Sequence, residues 1–109
     1  MIDLRNIEEL TKNPPATENQ INYIEKTMES VFPKVYKELL LLTNGFINGE
    51  GIKVYGLDEI IECNQVWEVE KYAKGYIAIG DDSGGTVFLM KQDVDAKEVI
   101  AVDFDCMNL

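Results

Sequence analysis

The stretch Gly75–Met90, GYIAIGDDSGGTVFLM, decides the fold of this 109-residue chain. Tyr76–Ile79 and Thr86–Met90 are apolar runs with β-branched and aromatic content, and such runs predict strands. Gly80–Gly85 lies between them as a six-residue loop of glycines, acids and one serine, residue types that turns need. The pair reads as an antiparallel hairpin. Downstream, the acidic turn Gln92–Lys97 leads into another predicted strand, Glu98–Asp103. Upstream, Ile52-Lys53-Val54-Tyr55 predicts a strand that Gly56 ends.

Helical spacing dominates the rest. Asp58 is placed to cap a helix from Glu59 to about Tyr72, although Val66-Trp67-Glu68-Val69 also fits strand alternation. Pro33 to Thr43 predicts a helix with Tyr36, Leu39, Leu40 and Thr43 as its inner stripe. Leu41 and Leu42 widen that stripe, which implies burial on more than one side. Asn44-Gly45 supplies a left-handed stop, and Phe46 folds back against it. Thr17 opens an earlier helix with capping-box spacing to Gln20, and Ile21, Ile24 and Met28 share its face. Asp3 to about Thr11 predicts a first short helix, closed by Pro14-Pro15. Tyr23, Phe32 and Tyr36 are expected in the core. Helices first and antiparallel strands later make the class α+β, with N-terminal helices packed on a mostly antiparallel β-sheet in a single domain, 1–109.

The net charge of −10 is unevenly placed. Residues 1–45 carry 7 acids against 5 bases, and residues 46–109 carry 13 against 5. The second part repels phosphate backbones and anionic membranes and attracts a basic protein surface. Nucleic acid and membrane are therefore not expected partners. No apolar run approaches a signal peptide or a membrane span, so the expected location is the cytoplasm, with Cys63 and Cys106 read as reduced thiols in preference to the alternative, a disulfide.

Catalytic readings fail for lack of parts. Asp82-Ser83-Gly84-Gly85 looks like the nucleophile segment of trypsin-like proteases, yet the chain has no histidine to act as base. Two cysteines without histidine leave a zinc site short of ligands, and the loop lacks calcium-loop spacing, so no metal is expected. No glycine loop carries a phosphate-binding lysine, and no cofactor is expected. Asp103 and Asp105 share a strand face, which is necessary for a carboxylate pair and far from sufficient. The reading is a protein that is not an enzyme.

The order of these pieces resembles the SUKH superfamily over roughly residues 17–105. The resemblance rests on the proline-led helix with Tyr36, Leu39, Leu40 and Asn44-Gly45. It continues through Ile52–Tyr55, Gly56-Leu57, Glu59-Ile60-Ile61 and Asn64, then Tyr76–Gly85 with Phe88-Leu89-Met90, and Val102-Asp103. Members include bacterial immunity proteins encoded beside secreted toxins and some eukaryotic regulators of cell-wall synthesis. The resemblance implies a non-catalytic immunity protein that neutralises a cognate toxin, and the acidic second part suits a basic, nuclease-like toxin domain. The expected contacts are drawn from Glu50, Asp58, Glu59, Glu62, Trp67, Glu68, Glu70, Asp81 and Asp82. Three of these have plainer alternatives: Trp67 as a residue packed under the sheet, and Asp81-Asp82 as loop-shaping residues. Members often continue past the last strand, so the far sheet edge is either open or covered by a second subunit. The rival reading is an interaction or regulatory scaffold module, a possible homodimer through the edge near Glu98–Asp103.

Overall fold

Thr17 sits in extended backbone, and its hydroxyl accepts the Gln20 N–H at 3.2 Å while its own N–H donates to Gln20 Oε1 at 2.9 Å. This reciprocal cap starts α1, Glu18–Met28, in a computed structural model that describes residues 11–103. Ile21 is buried, and Ile24 and Met28 pack partly against the core. Tyr23 is 68% exposed, against expectation. Two residues from Ile21 is about 200° around a helix, so Tyr23 points away from the core. The first helix expected over 3–11 lies outside the described residues except for Thr11, which is in a strand.

Pro33 precedes α2, Lys34–Leu42. Tyr36, Leu39 and Leu40 are buried as the spacing predicts, and Phe32 meets the Tyr36 ring edge-on at 5.5 Å. Leu41 and Leu42 are 38% and 55% exposed, which overturns the two-sided burial. Only one stripe of α2 meets the core, and successive residues rotate off it by about 100°. Gly45 adopts the left-handed backbone expected of the stop, but three residues beyond the end of α2, where the chain turns into a strand. There Asn44 and Gly56 cross so closely that a Cβ on Gly56 would lie 2.2 Å from the Asn44 carbonyl oxygen. Only glycine fits that approach.

Among the described residues, six strands form one sheet in the order β1 (Thr11–Lys12), β2 (Phe46–Ile47), β3 (Lys53–Val54), β4 (Tyr76–Asp81), β5 (Thr86–Lys91) and β6 (Ile100–Asp103). Every neighbouring pair is antiparallel. The α+β class is as read from the sequence. β1 and β2 were not expected, because two-residue strands carry no alternation and exist only through their partners. The hairpin loop is shorter than predicted, since Gly80 and Asp81 belong to β4.

The helix expected from Glu59 to Tyr72 is two helices, α3 (Ile60–Val66) and α4 (Val69–Tyr72), broken where Glu68 takes left-handed backbone (φ 51°). Asp58 does not occupy the cap. Glu59 does, without a side-chain bond to the first helical turn. One α3 residue replaces missing sheet pairing. The β3–β4 pairing ends at Val54 opposite Gly80, so Ala78 has no partner on the β3 side, while on the other side it pairs with Leu89 of β5. Asn64 Nδ2 donates to the Ala78 carbonyl at 2.9 Å and to the Ile60 carbonyl at 2.8 Å, and Asn64 Oδ1 accepts the Ala78 N–H at 2.8 Å. The side chain thus satisfies both backbone groups of a residue with no solvent exposure. Phe32, Leu40, Tyr55, Ile60, Val87 and Leu89 are fully enclosed in the core. Among the described residues, no helix is long and apolar enough to cross a membrane.

Candidate protein-binding surface

Glu59, Cys63 and Trp67 recur every four residues and so share one side of the α3 segment. Strand pairing sets Lys53 opposite Asp81, and Tyr55 follows two residues after Lys53. These two rows converge on the Tyr55 hydroxyl, which donates to Asp81 Oδ2 and accepts from Trp67 Nε1 at 2.8 Å. Asp81 Oδ1 also accepts the Ser83 N–H at 2.9 Å. Glu59 Oε2 pairs with Lys53 Nζ at 2.7 Å, and its Oε1 accepts the Gly56 N–H at 3.3 Å.

The titration shifts follow from these contacts. The bond to Glu59 holds the Lys53 ammonium above its usual value, with partial burial opposing it. Burial pushes the Tyr55 phenol up, and the bond to Asp81 adds to this. The Tyr36 phenol, enclosed and donating to the Tyr55 carbonyl, is also raised, chiefly by burial. Burial and then the Glu59 charge raise the Cys63 thiol, which disfavours the nucleophilic thiolate. Cys63 is a free thiol, and Cys106 lies outside the described residues.

Asp82 works on its own loop. Its Oδ1 accepts the N–H groups of Gly84 at 2.8 Å and Thr86 at 3.1 Å, and these bonds hold its carboxyl below the ordinary carboxylate value. Ser83 is a clip: its hydroxyl donates to the Gly51 carbonyl at 2.9 Å. The clip ties the β4–β5 loop to the β2–β3 turn, which carries exposed Glu50. Of the rival carboxylate pair, Asp103 bonds Thr86 Oγ1 at 3.3 Å and Asp105 lies outside the described residues.

The structure therefore divides the predicted contact residues. Trp67 and Asp81 meet at the Tyr55 hydroxyl, half-buried, Glu59 joins them through Lys53, the strand partner of Asp81, and Glu50 neighbours the Asp82 loop. Trp67 both packs against the core and keeps part of its surface. Asp58 and Glu62 are exposed at the start of α3. Glu68 and Glu70 line a groove between the end of α1 and the α3–α4 elbow. Glu68 also lies 3.7 Å from Lys71. Sequence reasoning missed Tyr55 and Lys53 as organisers. The four-residue spacing Glu59–Cys63–Trp67 was a visible signal, but the strand pairing that supplies Asp81 was not.

Residues 15–107 match the model of the SMI1 / KNR4 family (SUKH-1). The chain belongs to this family. The SUKH-1 match takes in every element described except β1. The chain is also similar to the uncharacterized protein YnaB of Bacillus subtilis (strain 168), 41% identical over 66 residues. That alignment covers 61% of this SUKH-1 chain and 44% of YnaB, less than half of the relative's length.

Proposed function

We propose that this SUKH-1 chain is a non-catalytic immunity protein that acts in the cytoplasm by binding a cognate toxin domain with a basic surface. One observation carries the reading. Glu50, Asp58, Glu62 and Glu70 are exposed, and none of them has an ion-pair partner among the described residues. Their charge is free to act on a partner. An excess of one sign over such a surface raises the encounter rate with an oppositely charged protein and is sensitive to salt. Around Tyr55, a half-buried indole and two fixed carboxylates add a preorganised patch, which costs less to order on binding.

The test pairs the chain with secreted proteins encoded beside it that carry variable C-terminal domains. Co-expression should restore growth to a host producing the cognate toxin domain. Stopped-flow association should slow by roughly tenfold or more between low and physiological salt. The E50Q/D58N/E62Q/E70Q variant should lose most of that dependence through the on-rate. Binding without growth rescue would favour a scaffold module instead. Association equally fast at low and high salt would remove the electrostatic basis of the proposal.

A further inference from the structure

The chain contains the dipeptide Asn-Gly twice, at Asn44-Gly45 and Asn48-Gly49. In this dipeptide the glycine nitrogen can attack the asparagine side-chain amide, because no Cβ hinders the approach. The fold treats the two copies differently. Gly45 is buried, and its N–H donates to the Thr43 carbonyl at 2.8 Å. Asn44 Oδ1 accepts the Leu57 N–H at 2.7 Å, and Gly56 lies close against the Asn44 carbonyl. Rotating Asn44 toward ring closure breaks these bonds and disturbs this packing.

Asn48-Gly49 lies in the surface turn between β2 and β3. Gly49 is exposed, and its N–H has no protein acceptor among the described residues. Asn48 Oδ1 accepts two backbone donors, the Glu50 N–H at 2.9 Å and the Ile52 N–H at 3.0 Å. Asn48 Nδ2 has no protein partner among the described residues. The attacking nitrogen and the leaving nitrogen are thus both unencumbered, while the oxygen between them is held. Its two donors are aimed at the atom on which negative charge develops as the amide carbon is attacked, the arrangement that favours a tetrahedral intermediate.

We propose that Asn48 is a site of spontaneous deamidation in the folded protein and that Asn44 is protected from it. Solvent base takes the Gly49 N–H proton, and the nitrogen bonds to Asn48 Cγ. The bond from Cγ to Nδ2 breaks, and ammonia leaves after taking a proton from water. Water then adds to either carbonyl of the cyclic imide and opens it, leaving an aspartyl or an isoaspartyl residue at position 48. The aspartyl product places a new carboxylate beside exposed Glu50 and keeps an acceptor for the Glu50 and Ile52 N–H groups. The isoaspartyl product inserts a methylene into the main chain of the turn. That displaces Gly51, whose carbonyl accepts the Ser83 hydroxyl, so the change reaches the Asp82 loop. The inference stands apart from the binding role proposed above.

The test holds the purified protein in warm, mildly alkaline buffer and follows it by peptide mass spectrometry after cleavage at Phe46, which separates the two asparagines. The mass gain of amide-to-acid conversion is expected at position 48, at least about tenfold faster than at position 44, because Asn44 reacts only through local opening. In concentrated urea the two rates should converge, since the fold alone distinguishes the copies. Gly49→Ala should slow conversion at position 48 by roughly tenfold, the added Cβ hindering the attacking nitrogen. Asn48→Gln, which must close a larger ring, should suppress it. In the separated isoaspartyl fraction the amide resonances of Gly51 and Ser83 should shift, and unchanged resonances would overturn the transmission to the Asp82 loop. Conversion no faster at position 48 than at position 44 in the folded protein would overturn the site. So would a folded-state rate at Asn48 far below its rate in urea, which would show that the Glu50 and Ile52 donors lock the side chain against attack.

Discussion

Replacing Asn64 with alanine removes three hydrogen bonds, and the consequence can be worked from the geometry. Two of them serve Ala78, whose N–H and carbonyl face Asn64 because the β3–β4 pairing ends at Val54 opposite Gly80 and leaves Ala78 no strand partner on that side. The residue has no solvent exposure, so water does not replace the lost bonds without structural opening. A buried backbone group left unpaired costs about 1–3 kcal/mol. Two such groups cost about 2–5 kcal/mol, set against a stability of roughly 5–15 kcal/mol for a domain of this size. The third bond, to the Ile60 carbonyl, lies within α3 and adds little. With a urea slope of about 1–3 kcal/mol per molar, the unfolding midpoint should fall by on the order of 1–2 M. Trp67 fluorescence reports the transition. Asn64→Asp is the informative companion. It keeps the acceptor for the Ala78 N–H but turns a carboxylate on the Ala78 carbonyl, so it should be no milder than alanine. A loss below about 1 kcal/mol for Asn64→Ala would refute the view that this side chain substitutes for a strand.

Two further outcomes follow from the Tyr55 cluster. Tyr55→Phe leaves Trp67 Nε1 and Asp81 Oδ2 without the hydroxyl between them, so Trp67 emission should shift and the fold should lose about 1–3 kcal/mol in denaturant unfolding. An unchanged emission spectrum would show that the hydroxyl does not hold the indole. The raised values of Lys53, Tyr55 and Tyr36 act together at alkaline pH. Unfolded tyrosine and lysine titrate near about 10 to 10.5, while the folded groups keep their protons to higher pH. Above about pH 10 the native state thus binds more protons than the unfolded chain, and stability falls as pH rises. Melting temperatures measured across about pH 8 to 11 should be flat and then decline, and the decline should be shallower in Tyr55→Phe.

The sequence showed those elements whose causes are local. Thr17 and Gln20 mark the start of α1 because both halves of the cap lie within four residues. The stripe Tyr36, Leu39 and Leu40 marks the core side of α2, and the glycine-rich loop marks the β4–β5 hairpin. What stayed hidden depends on distant partners or on cost. Phe46-Ile47 is a strand only because β1 and β3 flank it. Glu68 breaks a helix although glutamate is a good helix former, so no propensity announces the elbow. Asp58 had the right chemistry for a cap, but the chain begins the helix one residue later, at Glu59, whose carboxylate is drawn to Lys53. The candidate site was half legible. Acidic residues were identifiable by type, whereas the meeting of Glu59, Trp67 and Asp81 needs the register of β3 on β4.

The sheet places its strands side by side in the order in which they occur along the chain. As the polypeptide leaves the ribosome, each new strand can therefore add to an outer margin that already exists, and none has to wedge between two neighbours that are already zipped. The stretch from β4 to β6 needs only short-range closures, which are the fastest to form. Assembly by successive addition also limits the time during which unfinished margins are open to other nascent chains.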